Sequence, residues 1–493
     1  MFKAFLTSCF LGAFLIFSQA PWHYLFLIFL IFPLLFITID SKIKNKEKFR
    51  RFYRLVILLG GFLYFYYLFG FSWIISAFEY KQELEAFKYV TLFGLPLLMV
   101  LFTLPSFLFP TLFWDNKISK CISLAACLSF GEYLRSNILT GFSWNIFSHS
   151  LLFNENIMQI FSITGQYLAS FLLILSTQFI LFFGSKKNLF YSLILMSIIP
   201  LIFVFGYYKI DKNKFVEGKR IAIIQPNISQ DDKIYKKDLF ETISNLTELS
   251  RHENIDLTIW PESALPILLE QNKETINLIV KNISAGSQLL VGNITYRDNS
   301  FRNSALLINN KSDIKNIYNK VHLVPFGEFI PFKNFLSKIP FIKIISGDIG
   351  FEKGQDIELV DTSVGKSRVA ICYEIIFPEE INPYNKDLDL IINITNDAWF
   401  GQSSGPYQHL NIARIRAIEQ GVPILRSANT GISALIDPYG RVIEKIDLNK
   451  RGSIVSLLPK KIKKTIYSII GDYLFFGVLI LSLLILFISK RRN

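Results

Sequence analysis

Cysteine, charge and paired metal ligands are all scarce in this chain. Only four cysteines occur among 493 residues (Cys9, Cys121, Cys127 and Cys372), and three of them lie in apolar stretches. No disulfide framework or cysteine-based zinc site is therefore legible. The five histidines, His23, His149, His252, His322 and His409, show no paired ligand spacing, so neither a metal nor any other cofactor is expected. Gly365-Lys366-Ser367 lacks the earlier glycine of a phosphate-binding loop, because position 360 is Val. Charged residues make up 18% of the chain, against about 25% in soluble domains. No internal repeat or low-complexity linker is visible. What fills the space is apolar: hydrophobic residues reach 51%, Phe alone occurs 48 times, and the mean hydropathy is +0.37. Disorder and collagen-like fibres are excluded, and the length asks for two or more structural units.

The apolar residues are concentrated at the two ends. Residues 4–39 carry no Asp, Glu, Lys or Arg and are broken by Pro21, Trp22 and His23. About 20 apolar residues cross a bilayer, so this reads as two helices joined by a tight turn. Further uncharged runs are 55–78, 89–114, 156–185, 188–208 and 473–489. Residues 121–140 are a weaker span that holds Glu132 and Arg135, charges expected to face a bundle interior. The expectation is eight transmembrane helices, seven in residues 1–214 and one in 459–493. Ser18-Gln19-Ala20 also resembles a signal-cleavage site, but the second span follows after almost no spacer, so retention of the first is expected.

The net charge of +13 admits nucleic acid until the charges are located. Lys42, Lys44, Lys46, Lys48, Arg50, Arg51 and Arg54 lie between the second and third spans. Lys117 with Lys120, Lys186 with Lys187, and Lys490 to Arg492 mark further span ends. All fall on one side if both termini are cytoplasmic, as the positive-inside rule requires. The loop with Glu79, Lys81, Glu83, Glu85 and Lys88 and the long polar stretch are then external. The basic residues read as topology and not as a nucleic-acid surface.

Residues 215–458 have a different texture. Ile221–Gln225, Leu257–Trp260, Leu289–Thr295, Val369–Cys372, Leu390–Thr395 and Ile424–Ser427 read as buried strands. Leu239, Phe240, Ile243, Leu246 and Leu249 recur at helical spacing, and a second helix is expected from Gln408 to Gln420. Alternation of strand and helix predicts an α/β or layered αβ domain. Three of its segments carry ionisable residues where strands deliver them into loops: Trp260-Pro261-Glu262-Ser263, the stretch from Asn319 through Lys320 to Glu328, and Ile371-Cys372-Tyr373-Glu374.

Taken singly, a cysteine after a strand is an inert small hydrophobe and a loop Glu or Lys a solvated charge. Together, Glu262, Lys320 and Cys372 supply a base, a cation and a thiol. They stand 58 and 52 residues apart, on separate structural units. Arg414 and Arg416 on the second helix read as solvated or fold-stabilising, and Trp399 as core.

WPES, NKVHLVPFGEFIP, ICYEIIFPE and the segment from NDAWFG to DPYGR resemble the nitrilase superfamily. Seven spans before and one after, together with GFSWN at Gly141–Asn145, narrow the resemblance to its membrane branch, the apolipoprotein N-acyltransferases. That resemblance implies an α-β-β-α sandwich joined to an eight-helix bundle in a bacterial inner membrane, with the sandwich on the periplasmic side. It implies Cys372 as nucleophile, Glu262 as general base and acid, and Lys320 as oxyanion cation, supported by Glu328, Tyr373 and Glu374. The implied partners are a phospholipid acyl donor such as phosphatidylethanolamine, diacylglyceryl-modified lipoprotein acceptors and the bilayer, with no nucleic acid. Two departures stand out. Ile376 occupies a position where soluble nitrilase-type amidases often carry Arg, and Ile234-Tyr235 stands where the family often has Trp. The competing readings are a membrane-tethered amidase acting on small amides and a non-catalytic binding or transport protein.

Overall fold

The computed structural model describes residues 1–78, 85, 87–183, 186–212, 214–229, 239–331, 350–383 and 385–491. Ile234 and Tyr235, with most of the loop from Glu79 onward, lie outside them. The chain divides into two compact units. The first holds Met1–Ile75, Ala86–Asp211 and Thr465–Asn493, and the second Ser76–Glu85 and Lys212–Lys464.

The first unit is helical. The uncharged runs fall largely on helices, and among the described residues six helices are long and apolar enough to cross a membrane: Phe26–Ile43, Lys48–Gly70, Phe87–Leu112, Ile157–Phe182, Asn188–Lys209 and Tyr473–Arg491. Phe2–Ser18 is apolar but shorter, and Lys117–Asn137 is long enough but carries four charges. Those charges have internal partners. Lys120 Nζ lies 2.7 Å from Asp40 Oδ1, an oxygen that also accepts the indole N–H of Trp114 at 2.8 Å.

Glu132 and Arg135 are both fully buried in the bundle. Arg135 donates to the carbonyls of Phe142 and Trp144, each at 2.7 Å, and of Asn145 at 3.2 Å. Glu132 Oε1 accepts the N–H of Phe147 at 2.6 Å. The segment Gly141–Asn145 is not helical and is buried within the bundle. Buried irregular backbone needs partners from protein; the Arg135 guanidinium supplies them to this segment, and the Glu132 carboxylate holds the N–H of Phe147 just beyond it. Replacing Arg135 with Ala strips three buried carbonyls of a charged donor, so we expect a destabilisation of about 3 kcal/mol or more. A fall in the denaturation midpoint of the detergent-solubilised protein checks this, and an unchanged midpoint contradicts it.

The second unit is built on two six-stranded sheets. One has the order β12-β1-β2-β3-β4-β5 and the other β11-β10-β9-β8-β7-β6. The central strands run parallel: β1 (Phe215–Gln225) with β2 (Leu257–Trp260) and β3 (Gln288–Arg297), and β7 (Gly365–Ile371) with β8 (Leu390–Thr395) and β9 (Ile424–Ala428). The flanking strands β4 (Ser300–Ile308), β5 (Ile314–Asn319), β6 (Leu359–Thr362), β10 (Ser433–Ile436), β11 (Val442–Ile446) and β12 (Gly452–Pro459) pair antiparallel.

Side chains alternate across each strand, and both faces of the first sheet are used. Ile221, Ile223, Leu257 and Ile259 join Val369, Ile371, Ile392 and Leu425 in a core between the sheets. Ala222, Ile224, Trp260 and Val291 point the other way, onto Ile243 and Leu246 of helix Leu239–Leu249 and onto Ile276 and Ile279 of helix Lys273–Asn282. Phe240, which shares the apolar spacing of the first of these helices, faces outward. Helix Gly405–Gln420 covers the second sheet at β9. The layers are therefore α-β-β-α, with the ends of β2, β5 and β7 delivering the ionisable residues.

Candidate active site

Each of the three central residues follows the last residue of a strand or comes close to it. Glu262 lies two residues beyond β2, after Pro261, which has no N–H to extend the ladder. A Cβ on the neighbouring Gly292 of β3 would fall 2.5 Å from the Glu262 Cα, so this glycine is what allows the turn to sit against the sheet. Lys320 directly follows β5; its N–H donates to the Asn303 carbonyl at 2.8 Å and its carbonyl accepts from Gly354 at 2.7 Å. The β7 strand ends at Ile371, one residue earlier than the sequence suggests, and Cys372 opens a short 3-10 turn with φ +49°. A left-handed conformation at a non-glycine residue costs about 1–3 kcal/mol and persists only where its surroundings impose it.

The structure brings Glu262, Lys320 and Glu328 into one buried cluster. Lys320 Nζ donates to Glu328 Oε1 at 2.8 Å and lies 3.6 Å from Glu262 Oε1. The Asn303 amide bridges the same two carboxylates, donating to Glu262 Oε1 at 2.7 Å and Glu328 Oε1 at 2.9 Å. The second oxygens are held by main chain: Asn396 N–H to Glu262 Oε2 and Val324 N–H to Glu328 Oε2, each at 2.8 Å. Burial works against a charged Lys320, but Glu328 and Glu262 outweigh it and raise the ammonium above its ordinary range.

Glu374 has a different task. Its Oε1 accepts from the Tyr318 hydroxyl at 2.7 Å and from the N–H groups of Val321 at 2.8 Å and His322 at 3.3 Å, while Oε2 accepts from Ile371 N–H at 2.8 Å. One fully buried carboxylate thus ties the exit of β5, which carries Lys320, to the exit of β7, which carries Cys372. The Tyr373 ring meets His322 and Phe377 edge-on, with centroids 5.5 and 5.0 Å away. Burial pushes its phenol far above the usual range. Ile376 is fully buried. Arg416 is buried against Glu419 at 2.8 Å, a fold-stabilising placement, whereas Trp399 is only half-buried.

The Cys372 thiol is held in its protonated form. Burial pushes it up first and the Glu262 carboxylate second, with Lys320 and the Thr395 hydroxyl offsetting only part of this. The described residues contain no group of His, Cys, Asp and Glu able to hold a metal ion. The chemistry on offer is therefore that of a neutral thiol, a carboxylate to take its proton and a fixed ammonium beside both.

Residues 220–467 match the family model "Carbon-nitrogen hydrolase", which, with the four layers, sets the class of the second unit. Residues 11–178 match "Apolipoprotein N-acyltransferase N-terminal domain". The chain is 33% identical to the apolipoprotein N-acyltransferase of Rhodopseudomonas palustris, over 98% of its own length and 94% of that protein. It is 35% identical to that of Rickettsia prowazekii, over 83% and 86%. Among solved structures it is similar to Saccharomyces cerevisiae Nit3, a member of branch 10 of the nitrilase superfamily, at 17% identity and TM-score 0.36, covering 49% of this chain and 90% of that one. The chain belongs to the apolipoprotein N-acyltransferase family.

A thiol raised above its ordinary value of 9.0 gains about tenfold in thiolate for each pH unit until its pKa is reached. Alkylation of Cys372 by iodoacetamide, followed by mass spectrometry of its peptide, should rise about tenfold per unit from pH 7 to 9 without levelling. A plateau below pH 8 would mean that the thiolate is already formed at rest.

Proposed function

We propose that this chain transfers an acyl chain from a membrane phospholipid to the N-terminal α-amine of S-diacylglyceryl-cysteine lipoproteins, through a thioester on Cys372. The observation that supports this most directly is the buried sharing of Lys320 by Glu262 and Glu328 beside a protonated thiol. Burial and the Glu262 carboxylate oppose loss of the thiol proton to solvent. Passing that proton to Glu262 as sulfur attacks leaves the net charge of the cluster unchanged, and the substrate carbonyl takes up the negative charge from sulfur.

In the first half-reaction Glu262 takes the thiol proton as sulfur attacks the ester carbonyl. The carbonyl electrons move to oxygen, where Lys320 and the Tyr373 N–H are the stabilising donors; one such donor is worth about 3–4 kcal/mol. Collapse breaks the ester C–O bond, and Glu262 returns its proton to the departing lysophospholipid oxygen. In the second half-reaction the acceptor amine attacks the thioester and forms an amide. Glu262 carries one amine proton to the leaving sulfur, which restores the thiol. An α-amine, with an ordinary pKa of about 7.7–8.0, is partly neutral at pH 7, whereas lysine amines near 10.4 are not. That difference favours N-terminal acceptors.

The lipid substrates explain the attached helices. Each buried CH₂ resists desorption by about 0.8 kcal/mol, so an enzyme anchored in the bilayer meets its substrates laterally. In this reading all eight helices span the membrane, residues 1–214 and 459–493 form the bundle, and the catalytic domain 215–458 lies on the periplasmic face of the inner membrane. The two helices outside the six strong candidates have reasons for their weak signal: Phe2–Ser18 is short, and Lys117–Asn137 turns three of its four charges, Lys120, Glu132 and Arg135, inward. Phosphatidylethanolamine is the donor we favour.

The test uses the purified full chain in detergent with acyl-labelled phosphatidylethanolamine and a diacylglyceryl peptide. Label should pass to the peptide's α-amine, and Cys372→Ala should insert normally yet retain less than about one-thousandth of the activity. Ammonia release from small amides without label transfer would instead establish a tethered amidase.

A further inference from the structure

A second buried network lies behind Cys372, built from residues outside the Glu262–Lys320–Glu328 cluster. Asp397, His409 and Arg426 are all at most 1% exposed, and Thr395 is equally buried. Arg426 Nη2 donates to Asp397 Oδ2 at 2.7 Å, and the Thr395 hydroxyl donates to Asp397 Oδ1 at 2.9 Å. His409 Nδ1 lies 2.9 Å from the same Oδ1 and 3.1 Å from Arg426 Nη2. At the far side of its ring, Nε2 lies 3.3 Å from the main-chain carbonyl oxygen of Cys372. A carbonyl oxygen can only accept, so Nε2 is the nitrogen that must carry a proton for this contact to be a hydrogen bond.

That contact controls more than one atom. The Cys372 carbonyl and the Tyr373 N–H belong to the same peptide group, which is planar and trans. Fixing the oxygen fixes the opposite direction of the N–H. It also fixes ψ of Cys372, a residue already held at φ +49°, where an unconstrained chain would relax. Asp397, which holds Arg426, is packed so closely that a Cβ on Gly431 would fall 2.4 Å from its Oδ2.

We infer that His409, anchored at Nδ1 by Arg426, which Asp397 holds in turn, is a positioning residue that holds the Cys372–Tyr373 peptide so that the nucleophile and the Tyr373 oxyanion donor face the same carbonyl. This rests on Cys372 being the acylated residue. It assigns to a helix on the outer face of the second sheet a share in the geometry of the first half-reaction.

The experiment measures single-turnover formation of acyl-enzyme by the full-length protein in detergent, with labelled phosphatidylethanolamine at several concentrations and no acceptor. His409→Ala should lower the maximal acylation rate by about 10²-fold, the cost of misplacing reacting groups by roughly an ångström. The donor concentration at half-maximal rate should stay within about twofold, because His409 touches no lipid. His409→Gln, which can still donate an N–H, should recover at least tenfold of the loss, and His409→Met, of similar size without a donor, should not. The Gln and Met pair also decides the matter if the Ala variant fails to fold. A wild-type rate in His409→Ala, or equal rates in the Gln and Met variants, would overturn the inference while leaving the function intact. Absence of any adduct on Cys372 in the wild-type protein would overturn the function, and the inference with it.

Discussion

One ammonium shared by two carboxylates is the interaction on which the site depends. Lys320 is buried, and its charge is sustained only because Glu328 at 2.8 Å and Glu262 at 3.6 Å outweigh the loss of water. Remove either acid and a buried charge loses part of its compensation, a change that commonly costs several kcal/mol. The same arrangement sets the state of the thiol. Burial first and the Glu262 carboxylate second keep the proton on Cys372, and in the proposed mechanism Glu262 accepts it when an electrophile arrives. An enzyme that must wait in a membrane for two lipid substrates gains from this, because a permanently formed thiolate would be open to oxidation and stray alkylation.

Around that core the fold supplies rigidity from several directions. Glu374 binds the exits of β5 and β7 to each other through main-chain N–H groups. Asn303 locks the separation of Glu262 and Glu328 with a single amide. The bundle applies the same logic: Arg135 satisfies the carbonyls of a buried non-helical segment, and Glu132 the N–H that opens the turn after it. In each case one buried polar side chain replaces the hydrogen bonds that water would otherwise make.

The sequence disclosed the parts whose signal is local. Leu257–Trp260 and Leu390–Thr395 are fully buried apolar runs and coincide with β2 and β8. Glu262, Lys320 and Cys372 were legible because each stands in a distinctive segment at or near a strand end. The flanking strands were not: β12 mixes buried, half-buried and exposed residues with no regular alternation, and its place is set by pairing with β1, more than two hundred residues away. Helix Lys273–Asn282 buries only Ile276 and Ile279, too little apolar surface to stand out. Asn303 carries no local mark at all, since its role arises from the register that sets β4 between β3 and β5. His409 read as a solitary histidine because its partners, Asp397, Arg426 and the Cys372 carbonyl, converge only in the fold.

The central claim is that the acyl group rests on Cys372 between the two half-reactions. Intact-mass and peptide-mass spectrometry of the purified protein, incubated with phosphatidylethanolamine and no acceptor, tests it directly. The account predicts a mass increase of one acyl chain on the peptide containing Cys372, removed by neutral hydroxylamine as a thioester is. An active preparation that carries no such adduct, or carries it on another residue, would contradict it.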